Sequence, residues 1–144
     1  MKVIAVIPAR YKSTRFEGKP LVNLCGKPMI WWVHHQLCQV KGLSEIYVAT
    51  DDERIRKVCS DYGIKYVMTS DSHPTHLDRL AEFAENIESD FYININGDEP
   101  LMMPEYVERL LPTSDLNPAD FYFANAMTKI KKTVEVADIS RIKV

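Results

Sequence analysis

Glycine is scarce, five residues in 144, and none falls in a G-x-G-x-x-G or G-x-x-x-x-G-K-S/T arrangement. Neither the dinucleotide fingerprint nor the Walker A loop is therefore present. Cysteine is sparse too. Cys25, Cys38 and Cys59 are odd in number, widely spaced and form no C-x-x-C pair, which favours reduced thiols over a disulfide framework or a zinc site. No stretch is long and apolar enough to span a bilayer. The apolar run after Met1-Lys2 is too short for a signal-peptide core. The expectation is a cytoplasmic protein with no membrane partner. Net charge is only −2, so no global field draws nucleic acid, and any phosphate binding has to be local. Against these absences stands an ordinary balance of 46% hydrophobic and 26% charged residues. It is enough for one domain over 1–144 with its own core.

The most informative stretch is Pro8 to Pro20. It follows Val3-Ile4-Ala5-Val6-Ile7, a continuous apolar and largely β-branched run that reads as a strand buried on both faces and ending at Pro8. The next residues carry Arg10, Lys12, Arg15 and Lys19 against one acid, Glu17, with Ser13 and Thr14 adding hydroxyls. In an open α/β sheet the region beyond the carboxyl end of the first strand is where ligands bind. Clustered cations there suit a polyphosphate, because charge-assisted hydrogen bonds to phosphate oxygens are the strong ones. A solvated basic loop is the competing reading of the same charges.

Alternating patterns follow. Gly26-Lys27-Pro28 opens a helix with Pro28 near its first position. Met29, Ile30, Val33, Leu37 and Val40 recur at helical spacing, and Gly42 is placed to end that helix as its C′ residue. Trp31 and Trp32 read as core or subunit-contact aromatics. Ile46–Ala49 is a second strand. Asp51 or Asp52 then caps a helix that turns Ile55, Val58, Cys59 and Tyr62 inward and ends at Gly63. Lys65–Met68 is a third strand. Leu77–Ile87 is a helix, preceded by a polar loop in which His73 and His76 form the lip of a pocket. Phe91–Asn96 is a fourth strand. A short helix over 104–111 and further strands at 121–127 and from Ser140 complete the pattern, with Val134–Ala137 ambiguous. Such alternation with short loops gives an α/β fold, a mostly parallel sheet flanked by helices.

The second informative stretch closes the fourth strand: Gly97-Asp98-Glu99-Pro100. In a parallel sheet Asp98 lies on the same edge as the basic loop. Carboxylates facing a polyphosphate repel it unless a divalent cation bridges them, and Mg²⁺ is the usual bridge, held by one or two carboxylates plus substrate phosphates. A plain Gly-Asp turn is the competing reading.

Taken together, Ile7-Pro8-Ala9-Arg10-Tyr11, Ser13-Thr14-Arg15, Gly18-Lys19-Pro20-Leu21 and Gly26-Lys27-Pro28-Met29 resemble the opening signature of sugar-activating cytidylyltransferases. The match is to the CMP-Kdo synthetase (3-deoxy-manno-octulosonate cytidylyltransferase) family. Val48–Asp52, Met68-Thr69-Ser70, Asp78–Glu82 and Asn96–Leu101 resemble that family's later blocks. The resemblance implies a nucleotide-diphospho-sugar-transferase-like fold, Rossmann-like and of GT-A type. It also implies transfer of CMP from CTP to an acidic ulosonate sugar, Kdo or a relative, with release of pyrophosphate, for lipopolysaccharide or capsule biosynthesis. By resemblance, Ala9, Arg10, Ser13, Thr14, Arg15 and Lys19 bind the nucleotide, Lys19, Asp98 and Arg10 are catalytic, Asp98 binds Mg²⁺, and Asn96, His73 and Arg79 contact the sugar or base. Two departures bear on specificity. Thr75-His76-Leu77 stands where the family usually has Ser-Gly-Thr, and Asn96 where it has Gln. The chain also resembles only the amino-terminal portion of the family, whose remaining part carries another metal-binding aspartate and much of a homodimer contact. On that basis the chain alone is expected to make little product. A cytidylyltransferase of a sialic-type sugar, or a nucleotide-binding remnant without turnover, are the alternative readings.

Overall fold

The computed structural model describes residues 1–13, 15–113 and 122–126. The chain divides into two units, Met1–Leu111 and Pro112–Val144. In the first, β1 (Val3–Ala9) leads through a 3₁₀ turn (Lys19–Leu21) and a hairpin of β2 (Asn23–Leu24) and β3 (Lys27–Pro28) into α1 (Met29–Leu37). Then come β4 (Glu45–Thr50), α2 (Glu53–Asp61), β5 (Tyr66–Met68), α3 (His76–Asn86), β6 (Phe91–Asn94) and α4 (Pro104–Glu108).

Four strands form a parallel sheet in the order β5-β4-β1-β6. The apolar run predicted as doubly covered is the central strand, and Val3 to Ile7 are each no more than 2% exposed. Its alternate residues face opposite layers. Ala5, Ile7 and Ala9 pack with Ile30, Val33 and Leu37 of α1 and with Ile55 and Cys59 of α2. Ile4 and Val6 pack with Ala49 and with Phe83 of α3. Phe83 lies between the rings of Tyr47 and Tyr92, at centroid distances of 5.4 and 6.2 Å. The division follows from connection handedness. Two crossovers carry the chain outward from β1, and the third returns it to the other side of β1, so right-handed connections place α3 on the opposite face from α1 and α2. Burial in the first layer pushes the Cys59 thiol up to about 12, which makes it an inert core residue. All three cysteines are free.

Several expectations shift on contact with the structure. β1 does not end at Pro8; it runs to Ala9, with Pro8 registered against Ala49. The missing N–H is tolerated because Val6, two residues earlier, accepts from Ile95 on the β6 side. Pro8 faces the same way, beyond the last ladder pair of β6, Val6 with Asn94. Strand four correspondingly stops at Asn94 instead of Asn96. α1 ends at Leu37, so Gly42 is not its C′ residue. With φ 94 it serves a separate turn, where a Cβ would stand 2.8 Å from Leu111 Cδ1. Tyr62 is exposed, not inward, and the Lys27 ammonium lies 4.8 Å from its ring centre. In the second unit, residues 122–126 form no strand, because no ladder pairs them; Phe121 and Met127, Val134–Ala137 and Ser140–Val144 lie outside the described residues.

Candidate functional site at the carboxyl edge of the sheet

Ala9, 3% exposed, is the last residue of β1. Arg10, Lys12, Ser13 and Arg15 follow it into solvent; Thr14 lies outside the described residues. The loop closes on itself. The Gly18 N–H donates to the Tyr11 carbonyl at 2.8 Å, and the Phe16 N–H donates to Ser13 Oγ at 3.4 Å. Gly18 then caps the 3₁₀ turn in the left-handed region, φ 70, with the buried Pro20 fixing the turn's start. That conformation is costly for a residue with a side chain.

The turn aims Lys19 across the sheet edge. Its Nζ donates to Asp98 Oδ2 at 2.6 Å, with the two side chains 40% and 44% exposed. Lys19 follows β1 and Asp98 follows β6. Those neighbouring strands flank the place where strand order reverses, the switch point at which open α/β sheets bind ligands. The basic loop and the acid turn, 79 residues apart in sequence, thus meet directly. Asn96 is exposed beside them and donates to Glu99 Oε1 at 3.1 Å. Asp98 and Glu99 supply only hard oxygen donors, and no cluster of three or more His, Cys, Asp or Glu occurs among the described residues. Such a set fits an oxygen-seeking ion that takes most of its shell from substrate and water, as Mg²⁺ does.

The remaining predicted residues form a second cluster, on the α3 side. Arg79 is 4% exposed. It donates to Thr69 Oγ1, and its Nη2 lies 3.4 Å from Asp51 Oδ2. Asp51 therefore answers a guanidinium, and Asp52 alone caps α2, accepting the Arg54 N–H at 2.9 Å. His73 pairs with Glu82, which also accepts the Ser70 N–H at 2.8 Å. These bonds, His73 first, hold the Glu82 carboxyl below the usual range. The loop after β5 is tied to α3 in this way. Thr75 and Asp78 start that helix with reciprocal side-chain-to-backbone bonds. The T-x-x-D spacing of that capping box is a local signal in the sequence; the Asp51–Arg79 partnership leaves none. Two buried acceptors on this edge, Asp51 Oδ1 and Asn94 Oδ1, have no hydrogen-bond partner among the described residues.

A family model described as cytidylyltransferase matches residues 4–144. The chain belongs to the cytidylyltransferase family. Within it, the chain is 46% identical over 118 residues to the 3-deoxy-manno-octulosonate cytidylyltransferase of Escherichia coli, covering 82% of this chain and 48% of the relative. It is 40% identical over 146 residues to the 8-amino-3,8-dideoxy-manno-octulosonate cytidylyltransferase of Shewanella sp. (strain W3-18-1), covering 99% of this chain and 60% of the relative. The solved structure of CMP:2-keto-3-deoxy-manno-octonic acid synthetase complexed with CTP superposes with TM-score 0.75 at 46% identity, over 76% of this chain and 46% of that one. A cytidylyltransferase from Leptospira borgpetersenii, at 22% identity and TM-score 0.67, shares the fold over 76% of this chain and 47% of its own. The chain thus spans about half to three-fifths of the length of these curated family members.

Proposed function

We propose that this cytidylyltransferase chain serves transfer of CMP from CTP to an acidic ulosonate sugar, Kdo or its 8-amino relative, with release of pyrophosphate. The observation that carries the reading is the Lys19–Asp98 pair spanning the switch point. It joins the phosphate-seeking loop to a carboxylate that a metal ion could share with a nucleotide.

In this reading Arg10, Ser13, Thr14, Arg15 and Lys19 bind the triphosphate oxygens, and the Ala9 backbone approaches the nucleotide at the strand end. Asp98, with substrate phosphates, would hold Mg²⁺, which when bound would neutralise phosphate charge and lower the pKa of the attacking hydroxyl. The sugar hydroxyl oxygen bonds to the α-phosphorus, the bond from that phosphorus to the β-phosphate bridging oxygen breaks, and the hydroxyl proton is released. The protein's contribution is positioning and charge neutralisation, the main sources of catalysis in such transfers. In the absence of nucleotide, Lys19 and Asp98 neutralise each other. On binding, Lys19 turns to phosphate, which frees the Asp98 carboxylate as the oxygen donor that would hold Mg²⁺. Asn96 and His73 take the sugar or base, with the buried Arg79 tying the loop that carries His73 to α3 through Thr69. The same reading carries a cytoplasmic location, in keeping with three free thiols, and a homodimer for the longer protein.

The test is CTP-dependent pyrophosphate release with Kdo, 8-amino-3,8-dideoxy-manno-octulosonate and a sialic acid offered separately, for this chain and for a version extended to the length of its relatives. Release with one of the first two is the expected result for the extended protein. CTP binding without release for any sugar in that protein would reduce the reading to nucleotide binding.

A further inference from the structure

The basic loop is braced from behind by residues that touch no phosphate in the reading above. The Tyr11 ring lies against Gly18: a Cβ on Gly18 would stand 3.0 Å from two ring carbons and 3.1 Å from the hydroxyl oxygen. The absence of a side chain at Gly18 therefore lets the ring and the Tyr11–Gly18 backbone bond of 2.8 Å coexist. On the ring sits the Arg54 guanidinium, its Cζ 3.3 Å from the ring centre. Arg54 is itself fixed. Its Nε and Nη2 donate to the two oxygens of Asp52 at 2.9 and 2.7 Å, and Asp52 is already held as the α2 cap. A chain of contacts thus runs from the start of α2, through Arg54 and Tyr11, to Gly18, whose carbonyl accepts the Leu21 N–H at 2.9 Å to form the turn that aims Lys19. Behind the stack, Tyr11, Gly18, Arg54 and Val58 line a groove of about 450 Å³.

We propose that Arg54 and Tyr11 form a positioning clamp that holds the Tyr11–Gly18 closure and so presents Lys19 to the triphosphate. This rests on the triphosphate reading of the loop. Neither residue is catalytic; both act through the backbone of Gly18. An ordered loop spends less conformational entropy on binding than a free one, so loss of the clamp weakens nucleotide affinity even though every phosphate-binding side chain remains. The guanidinium matters for its flat face and its two-pronged grip on Asp52, which lysine cannot reproduce.

Two measurements on the same proteins test this. The first needs no nucleotide: hydrogen exchange at the Gly18 amide in the free chain. The second is CTP affinity by calorimetry. Arg54→Ala removes an exposed cation–π contact, for which a loss of about twofold to fivefold is expected, and Tyr11→Ala removes the ring as well, for about tenfold. Gly18 exchange accelerates in both, and the double variant is no weaker than Tyr11→Ala alone. Tyr11→Phe keeps the ring and restores both readouts, whereas Arg54→Lys does not. Unchanged Gly18 exchange in Arg54→Ala and Tyr11→Ala, faster exchange with unchanged CTP affinity, or additive losses in the double variant would each overturn the clamp. Failure of the unmodified chain to bind CTP would instead overturn the triphosphate reading, and the exchange measurement would still decide whether the clamp exists.

Discussion

Two of the cation–carboxylate pairs at the carboxyl edge of the sheet, Lys19–Asp98 and Arg79–Asp51, differ chiefly in what surrounds them. Lys19–Asp98 is short and half-exposed on both sides. Arg79–Asp51 is longer, at 3.4 Å, but its side chains are 4% and 17% exposed. Water screens the first pair and is available to either partner when they part, so it contributes little to stability and costs little to open for a ligand. The second cannot open without leaving a charge in the interior, so it fixes the loop after β4 to α3 and remains in place. Equivalent chemistry thus yields a solvent-exposed pair in one place and a buried brace in the other, and burial makes the difference.

The sharpest way to break the comparison is to remove one buried partner. Asp51→Ala should lower the unfolding free energy by about 3 kcal/mol, the lower end for a broken buried pair, read from urea denaturation. Loss of less than about 1 kcal/mol would mean that the buried pair behaves like the exposed one.

The reciprocal change is Lys19→Ala. One charge-assisted contact to phosphate is worth roughly 1.5–3 kcal/mol, so CTP affinity should fall about tenfold to a hundredfold in calorimetry, while the melting temperature stays within a degree or so of the unmodified protein. A large drop in melting temperature with intact affinity would reverse the roles assigned to the two pairs.

Asp98→Asn keeps shape and removes charge. CTP still binds, and the Mg²⁺ concentration needed for half-maximal pyrophosphate release in the extended protein should rise on the order of tenfold, one charge-assisted contact. Superimposable Mg²⁺ titrations would reassign this turn as structural.

The smallest effect is a pH dependence at the partly exposed His73–Glu82 pair. Glu82 is held below its ordinary value by His73 and the Ser70 N–H. Its folded pKa is depressed, so it contributes stability that is complete above the unfolded value, about 4.3, and that is lost as pH falls through the folded one. Glu82→Gln should flatten the fall in melting temperature below about pH 4.3 by a few degrees. A slope as steep as that of the unmodified protein would show that acid sensitivity resides in other carboxylates.

The β-branched run at Val3–Ile7 and the helical spacing of Met29, Ile30, Val33 and Leu37 were legible in the sequence, because burial on a face imposes a period that residues close in sequence display. Helix ends were less legible. Gly42 carries the positive φ expected of a C′ glycine, yet α1 stops at Leu37, and Gly42 serves a separate turn beyond it, beside Leu111. Asp51 and Asp52 were equivalent candidates for one cap. Only the arrival of Arg79, 28 residues later, separated them.

The sequence by itself determined a parallel α/β sheet, a cluster of cations after its first strand and an acid turn after its fourth, all from local composition and periodicity. Tertiary structure alone decided that Lys19 meets Asp98, that Arg79 is buried against Asp51 and that Arg54 lies on Tyr11. Those meetings depend on strand order and on which face each crossover helix takes. Such choices are made by packing between residues tens of positions apart, and no short window of sequence contains both partners.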